Sequence, residues 1–242
     1  MTDTKSEEHT IDRKARMKLP FVDITPRPPE ERVKDFEPTF LPLTPEEAKR
    51  AAERCIHCPD PAPCSKACPV NNDIAGAMWL IEQGDFIGAA EIYRQTSSMP
   101  EICGLVCPHD ELCMGSCVRF KRGEPVITGA IEAFVTYYQR KHSEVVIPVG
   151  DPTGKKVAIV GSGPAGLTCA GDLARLGYEV TIFESLHVTG GVLTYGIPEF
   201  RLPKAIVNLE VEYVKSLGAD IKTDMLIGNV YTIQELLKDY KA

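Results

Sequence analysis

The chain has 242 residues, of which 43% are hydrophobic and 25% are charged, as in an ordinary globular protein. Its net charge of −7 argues against nucleic acid as a partner. The sequence has no apolar stretch near the ~20 residues of a membrane span, and it begins with a charged segment unlike a secretory signal. We therefore expect a cytoplasmic protein with reduced thiols.

The N-terminal segment, residues 1–43, is predicted to form an extended arm. Six prolines interrupt it, and proline lacks the backbone N–H that helices and central strands need. Composition predicts disorder for the first ~15 residues, while apolar residues further along indicate that part of the arm lies on a surface.

Residues 44–147 are predicted to form a helical domain. Thr44 followed by Pro45 and two acids is typical of a helix start, and this helix should run into Cys55. Apolar spacing predicts further helices over 74–83, 86–95 and 129–141. No strand pattern precedes residue 150, so the loops between these helices should carry the cysteines.

A turn-rich linker over 148–154 leads into a region where strands and helices alternate. Strands are predicted at 156–160, at 178–184 and from residue 220, with helices after the first strand and over 204–217. Alternation of this kind indicates a parallel sheet. Residues 155–242 supply about three of the roughly five strands that a doubly wound domain needs.

Eight of the nine cysteines fall in two groups that share the pattern Cys-Pro-x4-Cys-x3-Cys. The first copy is Cys58, Cys64 and Cys68, with Cys55 upstream; the second is Cys107, Cys113 and Cys117, with Cys103 upstream. In a reducing compartment such groups are more often metal ligands than disulfides.

Two metal-binding alternatives remain for these thiols. Structural zinc favours paired Cys-x2-Cys units, and only Cys55 and Cys58 have that spacing. Iron–sulfur clusters fit better, because Cys55-x2-Cys58-x5-Cys64-x3-Cys68-Pro69 is the bacterial ferredoxin run with a longer middle loop. In that run the last cysteine serves a second cluster, so the spacing predicts two [4Fe-4S] clusters that exchange Cys68 and Cys117. Spacing alone would make Cys103 the eighth ligand.

A glycine motif, Gly161-Ser162-Gly163-Pro164-Ala165-Gly166, follows the first predicted strand and opens a helix. In this context it is typical of a Rossmann-like dinucleotide site, where the glycines allow a tight turn and close approach of a pyrophosphate to the helix N-terminus. Glu184 closes the second strand and should accept hydrogen bonds from the adenosine ribose. An acid at this position disfavours a 2′-phosphate, and hence NADP, as the ligand of this site.

The chain resembles a known family over roughly residues 20–240. Cys55-Ile-His-Cys58, Cys64-Ser-Lys-Ala-Cys68-Pro-Val, Glu101-Ile-Cys103-Gly-Leu-Val-Cys107-Pro and Leu112-Cys113-Met-Gly-Ser-Cys117 resemble the N-terminal iron–sulfur domain of the NADPH-dependent glutamate synthase small subunit. The same domain type occurs in dihydropyrimidine dehydrogenase and in the large subunit of bifurcating NADH-dependent ferredoxin:NADP oxidoreductases.

The resemblance implies a different ligand set. One cluster would take Cys55, Cys58, Cys64 and Cys117, and the other Cys68, Cys107, Cys113 and a non-cysteine residue that falls at Glu132. The competing interpretation of Glu132 is a solvated helix residue. Cys103 then becomes a non-ligand, His57 and His109 are interpreted as residues around the clusters or at the surface, and Cys169 as a core residue.

The glycine motif is found in both FAD-binding and NAD-binding sites. The segment from Gly190 to Lys204 resembles the FAD-binding stretch of the family, and this resemblance favours FAD. Gly190, Gly191 and Val192 begin a stretch that runs along FAD in the family, and Arg201 aligns with an arginine that contacts FAD. The competing interpretation is a loop with a surface arginine.

The fold class is therefore an α-helical domain with two [4Fe-4S] clusters followed by a partial Rossmann-like FAD-binding domain. The resemblance implies an electron-transfer subunit or fragment of an FAD/iron–sulfur oxidoreductase. Electrons from NAD(P)H, bound on a missing domain or partner, would pass through a flavin and the clusters to a partner subunit. The alternative is a non-catalytic iron–sulfur adaptor without functional FAD.

Overall fold

The computed structural model describes residues 11–122, 124–143, 145 and 148–242. Its N-terminal part is helical: α1 (Arg13–Arg16), α2 (Pro29–Arg32), α3 (Pro45–Glu53), α4 (Pro63–Ala67), α5 (Ile74–Gln83), α6 (Phe86–Thr96), α7 (Pro100–Val106), a 3₁₀ turn (Phe120–Arg122) and α8 (Thr128–His142). Its C-terminal part alternates strands and helices: β1 (Lys156–Val160), α9 (Pro164–Arg175), β2 (Glu179–Phe183), α10 (Val192–Tyr195), α11 (Lys204–Ser216), β3 (Asp220–Lys222) and α12 (Ile233–Asp239).

The predicted helix start at Thr44 is confirmed as a capping box at the head of α3. Thr44 Oγ1 accepts from the Glu47 N–H at 3.2 Å, and Glu47 Oε2 accepts from the Thr44 N–H at 2.8 Å. The helix ends at Glu53, two residues before Cys55, so the first cysteine sits just beyond a fixed helix end.

The N-terminal arm is more ordered than its composition predicted. Disorder was expected for the first ~15 residues, but α1 begins at Arg13, where the Asp12 side chain accepts from two backbone N–H groups. The expectation was wrong for residues 11–15 because α1 is held by side-chain contacts to the loop after α3. The part of that prediction on residues 1–10 lies outside the described residues.

A parallel three-stranded sheet in the order β1-β2-β3 forms the C-terminal part. Val157 pairs with Val180, and Ile182 with Ile221, so apolar positions stand side by side across the strands. On the other edge of β1, Lys241 N donates to Lys156 O at 2.8 Å. The predicted alternation of strands and helices is therefore confirmed.

Two apolar cores support these parts, and α7 belongs to the second. The first core lies between α3, α5, α6 and α8. The second surrounds α9, α11 and the sheet, and it also contains Met99 and Ile102 from the start of α7. The helix that leads to Cys107 is thus packed into the core of the sheet region. Within the described ranges no helix has both the length and the apolar character needed to cross a bilayer.

Candidate functional site: two thiol groups and a glycine-rich loop

The first thiol group lines one cavity. Cys55 follows α3, Cys58 lies in the next loop, Cys64 is in α4, and Cys117 arrives from the second copy of the pattern after α7. All four line this cavity together with apolar side chains that include Ile74 and Met78. The structure therefore brings together four thiols that are up to 62 positions apart in the sequence.

These thiols are poorly placed to ionise on their own. Burial, reinforced by the neighbouring cysteines, raises the pKa of Cys55 to about 12 and that of Cys64 to about 11. Burial also raises the pKa of Cys58, as does Cys117, while the charge of Arg13 acts in the opposite direction. A bound metal removes this penalty, because a coordinating thiol is deprotonated by the metal's charge. The donor set fits an iron–sulfur cluster.

The second group contains Cys68, Cys107, Cys113 and Glu132. Cys107 interacts electrostatically with the other three, and Cys113 interacts with both Cys68 and Glu132. Cys113 Sγ lies 3.0 Å from the hydroxyl of Thr128, at the start of α8. One turn further along, Glu132 projects from the same helix toward the thiols.

Glu132 is a buried carboxyl group and not a solvated helix residue. It is 7% exposed, and the side-chain amide of Asn72 donates to its Oε1 at 3.3 Å. Burial, together with Cys103, raises the pKa of Glu132 well above its usual range. A buried carboxyl beside three thiols is a donor set that suits a metal cluster, because a metal ion can balance the buried charge.

Cys103 lies at the edge of this second group. It stands one helical turn before Cys107 at the end of α7, and its Sγ lies 3.9 Å from Ser97 Oγ. The interaction between the two thiols raises the pKa of Cys103 and lowers that of Cys107. Its exclusion from the ligand set stays a prediction.

Among the described residues, no three His, Cys, Asp or Glu side chains converge closely enough to hold a single metal ion.

The two histidines occupy different surroundings. His57 Nε2 lies 2.9 Å from Glu82 Oε1, and its ring meets Trp79 edge-on with centroids 5.2 Å apart. The His109 Nε2 is buried and has no hydrogen-bond partner among the described residues. His109 faces a 480 Å³ cavity between the arm, α7, α8 and the loop at Phe200 and Arg201.

The core assignment of Cys169 was wrong, since this residue is exposed. It lies on α9 two positions after Leu167 and therefore on the opposite side of the helix from the buried Leu167, Ala170 and Ala174. The small size of Cys169 and its position in a helix suggested a core residue, but it lies on the solvent-exposed face of that helix.

The glycine motif forms a tight turn between β1 and α9. Gly161 has φ +96°, a conformation that favours glycine, and a Cβ on Gly166 would overlap the Gly161 carbonyl oxygen. A Cβ on Gly163 would point into open space at the N-terminus of α9, where Pro164 and Ala165 form the first turn. This open space beside free N–H groups is the cradle that a pyrophosphate needs.

A second glycine pair folds onto this turn. Gly190 N donates to Ser162 Oγ at 3.1 Å, and a Cβ on Gly191 would come within 2.8 Å of the Gly163 Cα. Val192 then begins α10. Gly190, Gly191 and Val192, which were predicted to run along the bound dinucleotide, therefore lie next to the glycine motif, although 24 or more positions separate them from it in the sequence.

Glu184 lies beneath the same turn. It is 4% exposed; its Oε2 accepts from the Ser162 N–H, and its Oε1 from the Leu186 N–H, each at 2.8 Å. Burial acts to raise the pKa of Glu184, but hydrogen bonds from Ser162 and Leu186 outweigh it and hold the pKa below its usual value. Glu184 is thus a carboxylate that braces the loop, and its contact to a ribose stays a prediction.

Arg201 is an exposed residue of the loop before α11, and it faces the same cavity as His109 and Phe200. Sequence analysis predicted a contact of Arg201 with FAD from the family resemblance alone. Sequence analysis did not single out Arg13 of α1, which contacts the Cys55–Cys58 loop, because it falls in the segment whose composition predicted disorder.

Comparison with known proteins agrees with both parts of the fold. Residues 32–144 match the family model of dihydropyrimidine dehydrogenase domain II, 4Fe-4S cluster, and residues 159–219 match that of an NAD(P)-binding Rossmann-like domain. The helical part is therefore an iron–sulfur domain, and the sheet part a dinucleotide-binding domain.

Curated relatives resemble almost the whole chain. Identity is 38% over 88% of the chain to a protein named as an oxidoreductase, UacF of Escherichia coli. It is 36% over 92% to the glutamate synthase [NADPH] small chain of Halomonas elongata, and 35% over 89% to the NAD-dependent dihydropyrimidine dehydrogenase subunit PreT of Salmonella typhimurium. The chain spans 33%, 48% and 51% of the lengths of these three relatives.

Proposed function

The chain belongs to the family of iron–sulfur oxidoreductase subunits that includes the glutamate synthase small chains and PreT, and on this premise we propose that it is an electron-transfer module. It works within an FAD- and iron–sulfur-dependent oxidoreductase, between a flavin and a partner subunit. Electrons enter from NAD(P)H bound on another domain or chain. The partner determines the final substrate.

The observation that carries the proposal is the position of Cys117. This residue belongs to the second copy of the cysteine pattern, yet it lines the cavity that Cys55, Cys58 and Cys64 surround. Such an exchange is the ferredoxin arrangement of two adjacent clusters. The second cluster is assigned to Cys68, Cys107, Cys113 and Glu132, whose mutual proximity and burial support it.

The flavin is assigned to the turn of Gly161, Ser162, Gly163, Pro164, Ala165 and Gly166, with Glu184, Gly190, Gly191, Val192 and Arg201 around it. The open space at Gly163 and the packing of Gly191 against it support this assignment. When bound, FAD would supply the conversion between two-electron hydride chemistry and single-electron transfer. The role of the protein is to bind and orient the group, through the N-terminus of α9 and the carboxylate of Glu184.

The same proposal divides the chain into three parts. Residues 1–43 are an arm, residues 44–147 hold the two clusters, and residues 155–242 bind the flavin. It also places the protein in a reducing compartment such as the cytoplasm, where eight unpaired thiols persist until iron and sulfide are inserted.

Anaerobic purification with metal and flavin analysis tests the proposal. We expect about eight iron and eight sulfide per chain, from two [4Fe-4S] clusters, and up to one FAD released on denaturation. Iron and sulfide without flavin, even when the chain is purified with its partner, would favour an adaptor. Bound zinc in a colourless protein would refute the electron-transfer function.

A further inference from the structure

Helix α1 lies against the loop that carries Cys55 and Cys58. Arg13 Nε donates to the carbonyl oxygen of Ile56 at 3.0 Å, and Arg13 Nη2 donates to that of His57 at 2.9 Å. A single guanidinium therefore holds the two consecutive carbonyl groups that lie between the two cysteines.

Arg16 completes the contact from the same helix. Its Nη1 donates to the carbonyl oxygen of Cys55 at 2.9 Å, and its Nη1 and Nη2 donate to the two carboxylate oxygens of Glu82 at 2.6 and 2.7 Å. Glu82, which is 10% exposed at its side chain, also lies 2.9 Å from His57 Nε2. Both arginines thus converge on His57, one through its backbone and one through Glu82.

His57 adopts a conformation that this network must hold. Its φ is +44°, in the left-handed region that few residues other than glycine occupy. A strained residue of this kind persists when its surroundings over-determine it, as Arg13 and Glu82 do here. In this conformation the His57 carbonyl accepts from Arg13. Burial raises the pKa of the Cys55 thiol, and the backbone N–H of His57 acts in the opposite direction.

We propose that Arg13 is a positioning residue that raises the reduction potential of the cluster bound by Cys55, Cys58, Cys64 and Cys117. Two effects act in the same direction. The arginine holds the His57 N–H toward a ligand sulfur, and hydrogen bonds to sulfur are among the factors that set cluster potentials. Its positive charge also acts on the Cys58 thiol and favours the reduced form of the cluster, which carries one more electron.

The inference rests on the proposed function, and a redox titration of the full chain with both clusters tests it. Dithionite supplies one electron per cluster, and absorbance and electron paramagnetic resonance follow two one-electron waves. In R13Q we expect the midpoint potential of one wave to fall. The reduced-to-oxidised ratio of that cluster at a fixed potential should decrease on the order of tenfold, which corresponds to 59 mV for one electron. The other wave should not move. K14Q is the matched control, because Lys14 is exposed on the same helix and carries the same charge.

Each outcome separates the inference from the proposed function. A wild-type chain without two reducible iron–sulfur waves would refute the function. Two normal waves in the wild type, with R13Q unchanged or R13Q and K14Q shifted equally, would refute only the role of Arg13. If R13Q does not retain iron, R13K is titrated instead. It keeps the charge but loses the paired donors, so a smaller fall of the same wave is expected and an unchanged wave overturns the inference.

Discussion

Arg94 of α6 and Glu210 of α11 form an ion pair between the helical part and the sheet part, with Nη1 3.5 Å from Oε2. The two residues are 2% and 3% exposed. Arg94 also donates to Gln139 Oε1 at 2.9 Å and stacks over the ring of Tyr213 at 4.9 Å. This buried polar contact joins the helical part of the chain to the sheet part.

Loss of Glu210 should destabilise the chain strongly. E210A leaves the Arg94 charge buried without its carboxylate, and breaking such a pair costs about 3–5 kcal/mol. On the same helix, E212A removes an exposed partner of Lys215 and should cost less than about 1 kcal/mol. Chemical denaturation of the two variants measures the difference. Equal effects would show that the buried pair does not couple the two parts.

Substitution of Cys103 and substitution of Cys107 should have different effects on the iron content, although Cys103 lies in α7 and Cys107 directly follows that helix. C107S removes a ligand of the second cluster and should lower the iron content by up to half. C103S should keep both clusters, because Glu132 takes the remaining coordination position. Iron and sulfide assays on the two variants decide this, and loss of half the iron from C103S would make Cys103 the eighth ligand.

Glu132 should be replaceable by glutamine but not by alanine. The side chain of E132Q retains an oxygen donor of similar length and should keep the second cluster with an altered potential. E132A removes the donor, and we expect loss of that cluster's signal in electron paramagnetic resonance together with up to half the iron. The control is E111A, which changes an exposed carboxylate near Cys113. Full iron with an unchanged spectrum in E132A would contradict the assignment.

Replacement by alanine should have different effects at two glycines of the glycine motif. A Cβ on Gly166 overlaps the backbone of Gly161, so G166A should lower the free energy of unfolding by about 1–3 kcal/mol. A Cβ on Gly163 meets open space, so G163A should cost less stability than G166A, while it blocks the pyrophosphate. Denaturation midpoints and FAD released per chain measure the two effects. Normal FAD content in G163A would place the flavin elsewhere.

Local sequence signals were sufficient for several features of this protein. The helix start at Thr44, the turn at Gly161 and the alternation of β1, α9 and β2 each depend on residues a few positions apart. Their physical causes, helix capping, positive φ and side-chain periodicity, act over the same short range. The cysteine spacing likewise predicted an iron–sulfur domain before any contact was known.

Only the tertiary structure decided which residues are buried and how the elements pack. The sequence predicted the grouping of Cys117 with Cys55 and of Glu132 with the second set of thiols, but it did not show that Glu132 is buried or that α7 joins the core of the sheet. Arg13 contacts Ile56 across 43 residues in a segment whose composition indicated disorder, and Cys169 lies on the exposed side of a helix whose other side is core. Burial and long-range contacts depend on how whole elements pack, and the local pattern of a sequence does not contain that information.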